Sequence, residues 1–425
     1  MTTNYTSLGL IRIFLVDLLG HTNIKAVLDT TRKEQFYPKE VLQKIVKDKL
    51  GQLFNLAKNA TTYYKNASSY ESLEILTKND IRQQMDAFIV NDYPNKLFPK
   101  ATSGSTGTPL RYFTTSNARS YLWTGIILSW EVAGYKLGDR VAFIAGTALL
   151  NPNSKFKHAI FYKLLNIDGY SAFSLSDDNI NKYLHKIITR KTKIIYGYAS
   201  ALDKIATYIK TNNGEYVFPH LKGIICTSEM LTEFMRTNIK EAFNTEVYNQ
   251  YGCNEAGVSA FECEAHQLHL INTRAYIETD THGNLIATDL SNEGFPMIKY
   301  NTGDIVEFSD TVTCTCKRNF PVLTNILGRS GDLIIDTNNN TIHCAFFQIL
   351  FRPENTITQY QITFDKRRLN VYINTDGSIS DMSYYDKIIN EIKSHLKFHE
   401  YEFYFNTPFL TSSNAKHRHV VNLSP

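Results

Sequence analysis

The chain opens on an apolar run, Leu8–Leu19, that carries Arg12 and Asp17. The run is too short to cross a bilayer and lacks the layout of a signal peptide, so it predicts an amphipathic helix. Pro38 then opens Val41–Leu56, where apolar residues recur at helical spacing with lysines between them. Leu73–Val90 predicts a further helical region, with Asn79-Asp80 as a cap before Ile81. Residues 1–100 therefore read as a helical start.

Beyond residue 100 the pattern becomes one of short apolar runs alternating with helical periods. Strands are predicted at Leu110–Thr114, Arg140–Ala145, Lys193–Ile195, Gly223–Cys226 and Thr245–Asn249. Helices are predicted at Asn117–Ala133, at Ile180–Ile188, and from the Thr227-Ser228-Glu229 turn to about Phe243. Such alternation predicts an α/β layout. The pattern changes near Gly328–Asp332. After an Asn338-Asn339-Asn340 turn come strands at Ile357–Thr363 and Leu369–Ile373, a helix at Tyr384–Leu396 and a strand at Tyr401–Phe405. The expectation is a large α/β domain over 1–330 and a small α+β domain over 331–425.

Composition narrows the class. The 425 residues are 43% hydrophobic with a net charge of +4, which suits a globular protein and gives no strong field for nucleic acid or membrane. A small anionic substrate fits that balance. With no export signal, a cytoplasmic location is expected, and the six cysteines are expected as reduced thiols or metal ligands.

Chemistry concentrates at a few points. Between Thr102 and Thr108 every residue is Ser, Thr or Gly. Successive N–H groups in such a bend make a concave anion site, so Ser103, Gly104, Ser105, Thr106, Gly107 and Thr108 can close over nucleotide phosphates; a flexible Ser/Gly turn is the alternative. A Walker loop is excluded, because Gly107 is followed by Thr108-Pro109 rather than by Lys. Tyr251-Gly252-Cys253-Asn254-Glu255 follows a predicted strand: Tyr251 can stack on a base, and Glu255 can hold Mg2+ beside phosphate oxygens. Asp304, in Tyr300-Asn301-Thr302-Gly303-Asp304, can accept both ribose hydroxyls, and Arg329 in Gly328-Arg329-Ser330-Gly331-Asp332 can donate to ribose or phosphate. Lys416 stands in a late basic stretch.

The order of these motifs, over nearly the whole chain, resembles the adenylate-forming (ANL) superfamily. More narrowly it looks like the phenylacetate–CoA ligase branch and its CapK-like members, with Leu76–Arg82 and Gln359–Ile362 supporting that narrower likeness. The resemblance implies an ATP-dependent ligase that activates a small carboxylic acid as an acyl-adenylate. The acyl group would pass to CoA, or, as in CapK-like members, to an amine, a hydroxyl or a carrier thiol. It implies that Ser103–Thr108 close over the ATP phosphates and that Ser228 and Glu229 belong to the adenine-pocket segment. Tyr251 and Gly252 would flank adenine, and Glu255 would hold Mg2+. Asp304 and Arg329 would bind the ribose, and Lys416 would reach the α-phosphate from a mobile small domain hinged at Gly331-Asp332. Tyr196, Tyr198 and Ala199 are candidates for the acid pocket by the same likeness.

Cys263, His266, His269, Cys314 and Cys316 form a separate group, spaced C-x2-H-x2-H and then C-x-C. Cys263, His269, Cys314 and Cys316 are the expected ligands of a structural Zn2+, with His266 as the substitute; unliganded cysteines on paired strands are the alternative. The sequence also departs from the branch. Thr108 stands where aryl–CoA ligases often have Lys, Thr337–His343 lacks the usual Gly-containing V-x-P segment, and Asn414-Ala415 precedes Lys416 in place of glycines. The second departure puts CoA as acceptor in question. Two rivals follow: a nucleotide-binding protein without catalysis, and a zinc protein whose nucleotide motifs are coincidental. Small-molecule partners, no nucleic acid, no membrane span and a homodimer complete the expectations.

Overall fold

A computed structural model describes residues 5–102, 110–146, 156–212, 216–329, 333–338, 340–343, 345–351, 356–378, 381–410 and 419–423. In chain order, helices α1 (Ser7–Gly20), α2 (Ile24–Glu34), α3 (Lys39–Ala60) and the short α4 (Lys78–Gln83) lead to the hairpin β1 (Phe98–Ala101) and β2 (Arg111–Thr114). Next come α5 (Ser116–Val132), β3 (Val141–Ala145), α6 (Phe156–Leu164), β4 (Ile167–Ser171), α7 (Asp177–Thr189), β5 (Ile194–Tyr198), α8 (Ala199–Thr211), β6 (Gly223–Thr227) and α9 (Glu233–Phe243). A run of strands follows: β7 (Val247–Cys253), β8 (Val258–Glu262), β9 (Leu268–Leu270), β10 (Ala275–Thr279), β11 (Asn284–Asp289), β12 (Tyr300–Ser309) and β13 (Val322–Arg329). The remainder holds β14 (Leu333–Ile335), β15 (Thr341–His343), α10 (Ala345–Phe351), β16 (Ile357–Phe364), β17 (Arg368–Thr375), α11 (Asp386–His395), β18 (Glu400–Phe405) and β19 (Val420–Asn422).

One eleven-stranded sheet, in the order β10-β11-β12-β13-β9-β8-β7-β6-β5-β3-β4, dominates the molecule. Its β4–β7 half is parallel. Those strands are covered on both faces, so they read as unbroken apolar runs: Val141–Ala145, Ile194–Tyr198 and Gly223–Thr227 are buried throughout. The half from β7 to β13 is antiparallel. Trp130 of α5 packs inside the core with Phe143 and Tyr196. A four-stranded sheet, β18-β17-β16-β19, has its own core of Ile362, Val371, Ile373, Tyr385 and Ile392.

Two local expectations are corrected. The helix expected over Leu73–Val90 is confined to α4 and a 3-10 turn at Met85–Phe88, and its cap is Thr77, not Asn79-Asp80. Thr77 and Asp80 form a reciprocal capping box, which fixes the start of α4 two residues earlier than the Asn-Asp pair suggests. The run Leu8–Leu19 is a helix but is not amphipathic. Ile13 and Val16 are buried, yet Leu8, Ile11, Phe14 and Leu18 are exposed. Among the described residues, no helix is long and apolar enough to cross a membrane.

Candidate functional site

In an open α/β sheet, ligands bind beyond the carboxyl ends of the strands, where the strand order reverses. Here that reversal lies at β3, which has β4 on one side and β5 on the other. Tyr198 ends β5 and lies beside Gly146, which follows β3; a Cβ at Gly146 would sit 3.3 Å from the tyrosine ring. Ala199 is the fully buried first residue of α8. Ser228, after β6, adopts a left-handed φ of 66°. That turn directs Glu229 back to α8, where its carboxylate accepts the Ser200 N–H at 2.9 Å. The carboxylate thereby meets the positive end of the helix. Burial pushes the Tyr198 phenol above its usual range, and Glu229 adds to the shift. Tyr196 lies two residues deeper, with its ring 4.9 Å from Phe143 and 5.9 Å from Trp130.

Three segments that are remote in sequence meet at the end of β7. β8, β9 and β13 lie between β7 and β12 in the sheet, yet Tyr251 and Asp304 are in contact. The Tyr251 hydroxyl donates to Asp304 Oδ2 at 2.6 Å. Asp304 stands opposite Arg329 in the β12–β13 register, with Arg329 Nε 3.4 Å from Oδ1. The carboxylate is aimed by its own turn. Gly303 has φ 78°, and its N–H donates to Asn301 Oδ1 at 2.8 Å, while the Asp304 N–H donates to Thr302 Oγ1 at 3.1 Å. Burial, reinforced by the Asp304 charge, holds the Tyr251 phenol far above its usual range, so it remains a donor at neutral pH.

Glu255 follows two residues after β7 and is half-buried. It has no hydrogen bond or ion pair among the described residues. Its charge is felt by the surrounding groups. Burial first, then Glu255, raises the Cys253 thiol, the Tyr112 phenol and the Tyr300 phenol; Asp304 contributes at Cys253 and Tyr300 as well. Glu255 and Asp304 thus act on the same small space. Tyr112 lies on β2, two residues after Leu110, whose carbonyl accepts the Thr102 N–H at 2.9 Å. This bond joins the two described residues that flank positions 103–109. Residues Ser103–Thr108 themselves, Gly331, Asp332 and Lys416 lie outside the described residues.

Sequence reasoning missed two buried charged residues, Arg274 and Asp289. Arg274 is 1% exposed, and its Nε and Nη1 have no hydrogen-bond partner among the described residues. Burial lowers its pKa, while the equally buried Asp289 opposes that effect; Tyr112 and Cys253 also act on it. Arg274 immediately precedes β10, and Asp289 is opposite Ala275 in the β10–β11 register. In the sequence, Arg274 is one polar residue among others in Asn272-Thr273-Arg274, and only the three-dimensional packing reveals its burial.

The cysteine cluster assembles as a compact group. The ligand atoms of Cys263, His269, Cys314 and Cys316 all lie within 4.8 Å of one another. Cys263 Sγ is 3.6 Å from Cys314 Sγ, and Cys316 Sγ is 3.3 Å from His269 Nε2. In a tetrahedron, ligands about 2.0–2.3 Å from one zinc ion are roughly 3.3–3.8 Å apart. His269 Nδ1 is 3.0 Å from the Phe320 carbonyl. That bond fixes the tautomer that leaves Nε2 free for a metal. Burial also lowers the His269 pKa, favouring the neutral ring. Backbone N–H groups of Ala265 and Arg318 each donate to a sulfur two residues earlier, Cys263 and Cys316. His266 turns elsewhere: its ring stacks on Tyr248, and Nδ1 is 3.5 Å from Glu262. Its ring is not among the four clustered ligand groups, and its backbone is left-handed, with φ 55°.

A cleft of about 580 Å3 lies among α2, α3 and α5, lined by Asn23, Lys49, Gln52, Tyr121 and Glu293 among others. None of the chemistry-bearing side chains described above lines it.

No protein-family model matches the chain. Protein CapK of Staphylococcus aureus is 26% identical over 367 residues, covering 84% of this chain and 80% of CapK. Phenylacetate–coenzyme A ligase of Thermus thermophilus is 22% identical over 381 residues, covering 79% of this chain and 82% of that ligase. Among solved structures, 2-hydroxyisobutyryl-CoA ligase in the postadenylation state, in complex with 2-HIB-AMP, matches with a TM-score of 0.66 at 15% identity. That match covers 92% of this chain and 91% of the other. The large mixed sheet and these likenesses agree with the order of motifs along the sequence: the chain is similar in sequence to CapK and to the phenylacetate–coenzyme A ligase, and it shares the fold of 2-hydroxyisobutyryl-CoA ligase.

Proposed function

We propose that this chain is an AMP-forming acid ligase. A carboxylate oxygen of a small acid attacks the α-phosphorus of ATP, the bond to the β-phosphate oxygen breaks, and pyrophosphate leaves. A nucleophile then attacks the acyl carbon of the adenylate and releases AMP. The meeting of Tyr251, Asp304 and Arg329 at one strand end, with Glu255 beside them and unpaired among the described residues, carries this reading. Asp304 accepts the ribose hydroxyls, Arg329 donates beside it, and Tyr251 flanks the adenine while orienting Asp304. Glu255 suits Mg2+, which takes one or two carboxylates together with phosphate oxygens. Bound there, the ion would offset phosphate charge. Tyr198 and Ala199 face the acid, with Tyr196 packed behind them. Ser103–Thr108 close over the phosphates, and Lys416 supplies a positive charge to the α-phosphate from a small domain, 331–425, that turns about Gly331-Asp332.

CoA is the first acceptor, by likeness to the phenylacetate–coenzyme A ligase. A specific observation favours a second reading. Asp336, between β14 and β15, accepts the N–H groups of Asn338 and Asn340 at 2.8 and 2.9 Å and that of Lys397 at 3.0 Å. These bonds commit the segment that departs from aryl–CoA ligases to a tight hairpin. An amine, a hydroxyl or a carrier thiol is then the acceptor, in keeping with the likeness to CapK. We further propose that Cys263, His269, Cys314 and Cys316 hold a structural Zn2+ that ties the β8–β9 turn to the β12–β13 connection, away from the reacting groups.

Trapping with hydroxylamine tests the proposal. The protein is incubated with ATP, Mg2+ and a panel of aryl, fatty, amino and sugar acids. Formation of a hydroxamate together with pyrophosphate supports adenylation, and replacing hydroxylamine with CoA separates the two acceptor readings. ATP binding with no hydroxamate from any acid returns the chain to a nucleotide-binding protein without catalysis.

A further inference from the structure

Helix α1 is built the wrong way round for a helix that ends at solvent. Its inner face is Gly9, Ile13 and Val16, all buried. Gly9 lets the helix backbone lie against the chain at Leu137: a Cβ there would be 1.8 Å from the Leu137 carbonyl oxygen. Thr6 caps the helix by accepting the Gly9 N–H at 3.0 Å, and both its own N–H and its hydroxyl donate to Leu137 O, each at 3.0 Å. The helix is therefore fixed in orientation. Its bulk points outward: Leu8, Leu10, Ile11, Phe14, Leu18 and Leu19 are each 41–65% exposed.

At 100° per residue, Arg12 and Asp17 fall at the two edges of this outer arc, and between them every position but Ser7, in the first turn, is apolar. Asp17 is already engaged, accepting the Ile24 and Lys25 N–H groups and the Thr22 hydroxyl. The outer side chains hold on the order of 600 Å2 of apolar surface, the upper end of what a monomer leaves exposed and close to the share of one partner in a standard interface.

We propose that this face binds a second copy of the chain, with α1 packed antiparallel on α1 about a two-fold axis. The arc suits a like partner because it carries no charge that a copy would repel. It is also nearly symmetric about Phe14: the axis places Phe14 against its own copy and Leu8 against Leu18 and Leu19 of the other chain. A two-fold contact of this kind is closed, so it yields a dimer and not a filament. A bilayer is a poorer occupant. Helices that lie on membranes carry a lysine- and arginine-rich polar face. Here the face opposite the arc is buried in protein, and the next lysine along the chain, Lys25, is paired with Asp29 at 2.7 Å.

Sedimentation velocity of the full chain at micromolar concentration is the test, with Phe14→Glu/Leu18→Glu beside it. Wild type is expected at twice the chain mass, and the double variant at the chain mass with an unchanged circular dichroism spectrum. Phe14→Cys under mild oxidation is expected to give a covalent dimer on denaturing gels. A monomeric wild type, or a dimer that the double variant leaves intact, overturns the proposal. So does a monomer that co-sediments with phosphatidylglycerol vesicles, which would assign the face to a membrane.

Discussion

Replacing Asp304 with Asn keeps the side chain's shape and a carbonyl oxygen for Tyr251 while removing the charge. The structure bounds what this costs the fold. Arg329 is 45% exposed, so its pairing with Asp304 at 3.4 Å contributes under about 1 kcal/mol. Tyr251 exchanges a charge-assisted bond for a neutral one, at about 1 kcal/mol. The fold therefore loses no more than about 2 kcal/mol. If the carboxylate also accepts two ribose hydroxyls, losing both charge-assisted bonds weakens ATP binding by about 3 kcal/mol, roughly a hundredfold in Kd. Calorimetric titration with ATP and with 2′-deoxy-ATP separates the two effects. Wild type is expected to prefer ATP by about tenfold, as for one lost hydrogen bond of about 1.4 kcal/mol, and Asp304→Asn to lose that preference. If Asp304→Asn binds ATP within about threefold of wild type and still discriminates against the deoxy analogue, the ribose assignment is refuted.

Other consequences are equally concrete. The purified chain is expected to carry about one zinc ion by elemental analysis, as a closed four-ligand site does. Cys314→Ser should abolish the zinc and lower the melting temperature; a zinc-free wild type with an unchanged melting temperature in chelator contradicts the site. Arg274→Met should cost about 3 kcal/mol in urea unfolding, because it leaves Asp289 buried without a countercharge. Adding Asp289→Asn should recover more than half of that loss; a single variant within about 0.5 kcal/mol of wild type shows that the pair is not coupled. Gly9→Val should displace α1 from Leu137 and expose the first residues to trypsin, since no rotamer relieves a Cβ at 1.8 Å from a backbone oxygen.

What the sequence discloses follows from how local each signal is. Val141–Ala145 and Gly223–Thr227 are continuous apolar runs, and only a doubly covered strand asks for them. Tyr251, Asp304 and Arg329 are legible as motifs because each has a glycine beside it (Gly252, Gly303 and Gly328), an uncommon neighbour inside a strand. Cys263, His269, Cys314 and Cys316 are legible because thiol and imidazole pairs at short spacing are uncommon. The antiparallel ribbon from β10 to β11 is not: Ala275–Thr279 and Asn284–Asp289 are short, and Thr288 and Asp289 are buried polar residues that break the expected alternation. Arg274 is invisible for the same reason, since nothing local marks a buried guanidinium. His266 satisfies the spacing rule as well as His269 does, and only the three-dimensional arrangement separates them. The outward face of α1 cannot be read either, because glycine at position 9, not a leucine stripe, determines which side meets the protein.

In the proposed function several side chains remote in sequence act on one bound ATP. ATP–pyrophosphate exchange measures that most directly, using wild type, Glu255→Gln, Asp304→Asn and Lys416→Ala with the acid that gives the largest wild-type signal. The expected result is exchange by wild type and a loss of about a hundredfold or more in each variant, as for removal of one charged contact at a water-excluded site. Exchange that persists undiminished in all three variants would show that these residues do not share a nucleotide.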